Sequence, residues 1–185
     1  MLSQSFIDHT HCSESWKLNS LTATEEHYLV QIGYHRDWTY RSPSFAKPCI
    51  QVIYLVGGNS VFLAALESLH RRLSMIPQSF SDGVIVAIGY PLSPDSSTVM
   101  CPRRTKDLTP SAEVTSGLEG GADAFLDLIQ DKLEDPVERR IQEPRGATIG
   151  KEALFGHSLR GIFVLHALCT RPNSFNCFLG GSLRI

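Results

Sequence analysis

The sequence predicts one α/β domain with a largely parallel sheet and helices on both faces. Three observations carry that prediction. Strand-length apolar runs alternate with segments of helical periodicity. Turns containing Gly or Pro, "GGN", "GYP" and "GHS", close those runs. The chain has 185 residues, 42% of them hydrophobic, enough to bury a single sizeable core.

The elements follow in chain order. Residues 1–24 lack periodicity and read as an irregular lead-in, which puts the domain at 25–185. His9, His11 and Cys12 are metal-ligand types without a fourth partner nearby, so this group reads as a solvated tail, and no metal is expected. "HYLVQIGY", at 27–34, alternates and is rich in β-formers, an outer strand. "CIQVIYLV", at 49–56, is a β-branched run that ends at Gly57-Gly58-Asn59, the pattern of a buried strand.

Residues 61–75 follow as a helix with Phe62, Leu66, Leu69 and Leu73 on one side, ended by Pro77. "GVIVAIGY", at 83–90, is a second buried strand. Residues 91–121 are polar and rich in Pro, Ser and Thr, and read as a long loop of the kind that carries function. Residues 122–140 form an amphipathic helix with Phe125, Leu128, Ile129 and Leu133 inward. A short strand at 152–155, a helix at 162–169 and a last strand at 175–181 complete the order. In parallel sheets, ligand sites form beyond the carboxyl ends of the strands, where the three turns lie.

Composition removes several function classes. A formal charge of −2 argues against electrostatic binding to nucleic acid or to an anionic membrane. The longest apolar runs are strand-sized, and the first residues hold no apolar core of signal length. Five cysteines, odd in number and without a CxxC pair, read as reduced thiols. A soluble cytoplasmic protein is the expectation, and the sequence leaves its oligomeric state open.

"GHSLRG", at 156–161, carries the chemistry. A serine hydroxyl becomes a useful nucleophile when a base takes its proton. A sharp strand-to-helix turn lifts that hydroxyl above the sheet and aims the following N–H groups at a developing oxyanion. The flanking positions must then be small. Gly156 meets this requirement and Arg160 does not.

The blocks "VIYLVGGNSVF", "VAIGYP", "RRTKDLTP", "GGADAFLDLIQDKLEDPVE" and "ALFGHSLRGIFVLHALCTRPNSF", in that order, resemble α/β-hydrolase-fold esterases of the enterochelin-esterase and siderophore-esterase type. The resemblance covers roughly residues 28–183. It implies a three-layer α/β-hydrolase-type fold, incomplete at its C-terminal side. It also implies hydrolysis of carboxylic esters, siderophore-type esters among them, through an acyl-enzyme on serine and without a cofactor. Matched residue by residue, Ser158 is the nucleophile. Gly57-Gly58-Asn59 is the oxyanion loop, where an acidic residue is more usual at the position of Gly57. Gly58, Asn59 and Leu159 supply the amide donors. Arg103, Arg104 and Asp107 border the substrate cleft, where an arginine would hold an acidic or oxygen-rich ligand. An internal Arg–Asp pair in a solvated loop is the alternative for that block.

Two departures from the family pattern stand out. Arg160 occupies a glycine position, where a side chain should cost stability or distort the turn. After Ser158 the chain contains no Asp or Glu, and its one histidine there is His166. Eight residues of helix put His166 roughly 12 Å from the elbow, out of reach of the serine as a base. The expectation is a serine esterase truncated before its base and acid, or else a catalytically inactive α/β module that binds a ligand or a protein.

Overall fold

The computed structural model describes residues 2–8, 12–21, 26–34, 49–75, 83–92, 101–110, 120–143 and 147–182. Its strands are β1 (Leu2–Asp8), β2 (Ser13–Asn19), β3 (His27–Tyr34), β4 (Cys49–Val56), β5 (Gly83–Gly89), β6 (Thr148–His157) and β7 (Cys177–Gly181). They form one sheet in the order β1-β2-β3-β5-β4-β6-β7. Strands β5, β4, β6 and β7 are parallel to one another. Strands β1, β2 and β3 extend the sheet as an antiparallel flank that joins β5 through β3.

Side-chain alternation sorts the central strands between two cores. From β4, Ile50, Val52, Tyr54 and Val56 enter the larger cluster, while Leu55 enters the smaller one. From β5, Val84, Val86 and Ile88 go one way, and Ile85 and Ala87 the other. Burial on both faces, along β5 and at the end of β4, is why these segments read as unbroken apolar runs. Helix α1 (Phe62–Met75) seats Phe62 and Leu66 on the smaller cluster. Helices α2 (Pro102–Leu108), α3 (Ala122–Leu128), α4 (Glu134–Gln142) and α5 (Leu159–Thr170) cover the larger one.

Four expectations need correction. Residues 2–8 and 13–19 are strands, not an irregular lead-in. The alternation in β2 is real but disguised, because Glu14 takes an inward place beside Trp16 and Leu18. Its carboxylate is held there by Arg140, whose Nε lies 2.8 and 3.1 Å from the two oxygens. Cys12 is likewise buried, against the reading of a solvated tail, while His9 and His11 lie outside the described residues.

The long loop at 91–121 contains α2, which opens with Pro102 at its first turn, where a missing N–H costs nothing. The helix expected at 122–140 widens into a π turn at Ile129–Leu133 before continuing as α4. Pro136 explains this, since its ring would clash with the carbonyl four residues earlier in a regular helix. The inward residues Phe125, Leu128, Ile129 and Leu133 are all buried as expected. Among the described residues, no helix is long and apolar enough to cross a membrane.

Candidate active site

Strand β6 runs into Ser158, which adopts φ 60° and ψ −125° before α5 begins at Leu159. A non-glycine residue held there stores about 1–3 kcal/mol of backbone strain. Its neighbours hold it in place. The Ser158 N–H donates to the Gly181 carbonyl of β7 at 2.8 Å. The Gly161 and Ile162 N–H groups donate to the Ser158 carbonyl at 2.8 and 3.3 Å, opening the helix. Gly156 is required by close approach: a Cβ there would strike the Arg160 carbonyl group, with its carbon 2.6 Å away. The strand–turn–helix context expected for Ser158 is therefore present.

The turn after β4 stands beside this elbow. Strands β4 and β6 are parallel neighbours with Leu55 opposite Phe155, so both turns open at the same carboxyl end of the sheet. Gly57 has φ 75° and donates its N–H to the Ile88 carbonyl at 2.8 Å. Gly58 leaves no room for a side chain, since a Cβ would lie 2.7 Å from that of Ala87. Asn59 clamps the turn to the end of β5. Its Nδ2 donates to the Tyr90 carbonyl at 2.7 Å, and the Tyr90 N–H donates to its Oδ1 at 2.7 Å.

Arg160 joins the two turns. The elbow keeps its shape because the Arg160 side chain leaves the strand–helix contact and lies over Gly57. A Cβ on Gly57 would fall on Arg160 Nε and within 2.5 Å of Cζ. Gly57 is thus needed twice, for its left-handed backbone and for the room it gives a guanidinium. Arg160 Nε is buried without a hydrogen-bond partner, a situation that costs about 1–3 kcal/mol or more for a charged donor. Burial, then the nearby charge of Arg104, lower the pKa of Arg160.

The arginines expected at the substrate cleft differ in their surroundings. Arg103 lies over the Tyr28 ring, 4.0 Å from its centroid, and 5.6 Å from that of Tyr90. Its Nε is 3.1 Å from Glu26 and 3.4 Å from Asp107, and its Nη1 donates to the His27 carbonyl. The internal Arg–Asp pair is therefore formed, leaving Nη2 buried and without a partner. The Tyr28 hydroxyl donates to Asp107 at 2.9 Å. Burial raises the Asp107 pKa, against the lowering effects of that hydrogen bond and of Arg103. Arg104 is partly buried within electrostatic reach of Arg160.

Neither histidine serves Ser158 here. His157 is exposed at the end of β6, against Gly181 of β7. His166 Nε2 lies 2.9 Å from Asp123 Oδ1, an α5–α3 pair far along the helix from the elbow. The sequence reading missed Tyr90 as the hub of the site, although the "GYP" turn marked its position.

No family model matches the chain. It is 38% identical over 161 residues to a siderophore triacetylfusarinine C esterase of Aspergillus fumigatus, covering 85% of this chain and 51% of that protein. It is 38% identical over 166 residues to a siderophore enterobactin esterase of Emericella nidulans, covering 84% of this chain and 52% of that protein. The structure matches the siderophore hydrolase EstB from Aspergillus nidulans with a TM-score of 0.80 at 34% identity, over 95% of this chain and 59% of that one. The chain spans about half the length of the curated relatives it matches. With the elbow, the neighbouring turn and the mixed sheet all in place, the chain has the α/β-hydrolase-type fold and is similar in sequence and structure to siderophore esterases.

Proposed function

We propose that the chain carries the nucleophile half of a serine carboxylic-ester hydrolase acting on siderophore-type esters. The observation that supports this is Ser158, held in a strained elbow beside the Gly57-Gly58-Asn59 turn. Ser158 Oγ attacks the ester carbonyl, and the amides of Gly58, Asn59 and Leu159 receive the oxyanion. Arg104, with the free Nη2 of Arg103, borders the cleft in which the rest of the substrate lies. No metal or other cofactor takes part in this reading. The five free thiols suit a reducing compartment, so we place the protein in the cytoplasm.

The base and its acid are not found in residues 159–185: the stretch has no Asp or Glu, and His166 is engaged with Asp123. Residues 1–185 alone should therefore be a weak catalyst, with about 10³–10⁴-fold acceleration over water from the oxyanion turn and binding. A second reading, a non-catalytic binding module, draws support from the Arg160 guanidinium lying over Gly57. Fluorophosphonate labelling and turnover of an activated ester separate the two. The esterase reading expects slow labelling and turnover, both lost in Ser158→Ala. The binding reading expects neither while ligand binding persists.

A further inference from the structure

Strand β7 ends the sheet beside the elbow, and among the described residues its ladder partner is β6. The Ser158 N–H donates to the Gly181 carbonyl, so Gly181, Leu179 and Cys177 turn their backbone groups toward β6. Alternation along the strand leaves the N–H and C=O of Phe178 and Gly180 on the open side. Such an edge is a template for another strand, and proteins guard it with charge, proline or cover. The β7 sequence, Cys177–Gly181, holds neither charge nor proline, and Cys177, Leu179 and Gly180 are exposed.

Apolar side chains continue this edge on both faces of the sheet. Leu179, 44% exposed, joins Ile53, Leu55 and Phe155 in lining an apolar groove of about 490 Å³ beside α1. On the other face, α5 rests on both β6 and β7. Its His166 reaches Asp123 of α3, and α3 lies over β3 through the contact of Phe125 with Tyr28. Leu165 and Leu168 fall about 100° and 160° around the helix from His166, in the same direction. They are therefore on the side of α5 away from α3, toward the open edge, where both are exposed.

An open backbone edge takes a strand, and this strip suits a second copy of the same chain. Between Gly161 and Gly181 the one Asp, Glu, Lys or Arg is Arg171, which is bound to Asp127 and Gln130, so two copies meet here without opposed like charges. In an antiparallel pair centred on Leu179, Phe178 stands opposite Gly180 of the second copy, and the glycine leaves room for the ring. With strands about 4.8 Å apart, a helix over β6 and β7 lies about 5 Å from the two-fold axis of such a pair. The two α5 helices are then about 10 Å apart, which is helix-packing distance. We propose that β7 is the centre of a symmetric dimer in which the open edges of two copies pair antiparallel, with Leu165 and Leu168 of each α5 meeting across the axis.

Sedimentation velocity of the 185-residue chain at micromolar concentration is expected to give twice its mass of 20.5 kDa. Leu179→Lys sets like charges against each other at the axis, and Gly180→Pro removes an outward N–H that an edge strand can spare. Each is expected to weaken dimerisation about tenfold or more while the far-UV circular dichroism persists. Leu179→Cys is expected to cross-link to its own counterpart on mild oxidation, because opposed residues of a non-hydrogen-bonded pair have Cα atoms about 4.5 Å apart, inside disulfide range. A chain that stays monomeric, assembly that continues past the dimer, or a dimer indifferent to Leu179→Lys and Gly180→Pro would overturn the proposal. So would Leu179→Cys linking to Cys177 of the second copy and not to itself. Leu168→Lys, at an exposed position of α5, tests the same dimer without touching the strand. It is expected to weaken the dimer, and a dimer it leaves at full strength would also overturn the proposal.

Discussion

On one face of the sheet, Tyr54 and Leu154 disappear beneath α2 to α5, with Phe163 of α5 buried among them; on the other, Leu55 and Ile85 have α1 for cover. Ile53 and Leu179, on β4 and β7, remain 36% and 44% exposed. Parallel strands are normally covered on both faces, so the second face is apolar surface with a partial layer. The curated relatives are about twice as long as the matched region. The candidate site stands at the junction of the two faces. The thick face supplies the Ser158 elbow through α5, and the thin face supports the Gly57–Asn59 turn through α1.

The comparison is broken most directly by large-to-small substitutions on the two faces. Phe163→Ala, at a fully buried position, should lower stability by about 3–5 kcal/mol. Ile53→Ala should change it by less than about 1 kcal/mol, because that side chain is already a third exposed. Urea midpoints of the two variants measure the contrast. Equal losses would mean that the second face is covered in solution.

Next in size is Arg140→Ala. The Glu14 side chain is fully buried against Arg140, which links the antiparallel flank to α4. Removing the guanidinium leaves a buried carboxylate without its counter-charge and should cost about 3 kcal/mol. The paired replacement Glu14→Leu with Arg140→Met should recover most of that loss, as measured by the same midpoints.

This ion pair also explains what was legible in the sequence. Strands β3 and β4 were readable to the residue, because their alternation or apolar run is undisturbed by charge. Strand β2 was hidden because one of its inward places belongs to Glu14, whose partner comes from a distant helix. At the candidate site, the turns at Ser158 and at Gly57-Gly58-Asn59 were readable as turns because each is set by contiguous residues. The resting place of the Arg160 side chain was not, since it depends on a turn far away in the chain. The roles of Arg103 were blurred for the same reason: Tyr28, Glu26 and Tyr90 come to it from other elements.

A smaller effect tests the junction of the faces. Gly57→Ala puts a Cβ on the Arg160 guanidinium and forces a side chain into φ 75°. The expected loss is about 1–2 kcal/mol. Adding Arg160→Gly removes the collision and leaves the backbone strain, so the double variant should be more stable than Gly57→Ala alone. Additive losses would show that the guanidinium does not rest on Gly57.

The smallest expected effect lies on the thick face and is read as a pH dependence. Glu134, at the start of α4, has its pKa pushed up to about 7, chiefly by burial and then by the charges of Glu152, Asp135 and Asp131. Its Oε1 is buried without a hydrogen-bond partner. Glu152 is raised in the same direction by burial, against the lowering effect of the hydrogen bond it accepts from the Tyr54 hydroxyl at 3.0 Å. Between the ordinary glutamate value of 4.5 and about 7, the folded chain holds a proton that the unfolded chain has released. Stability therefore falls as pH rises through that window. The contribution is fully present below 4.5 and is lost as pH passes about 7. Glu134→Gln keeps the shape and removes the titration, so its urea midpoint should vary less with pH than that of the parent. Because the group is partly exposed, solvent screening keeps the difference modest. A parent midpoint that rises across this window, or a Glu134→Gln variant with the parent's slope, would show that Glu134 is ionised in the folded protein and that water reaches it at the start of α4.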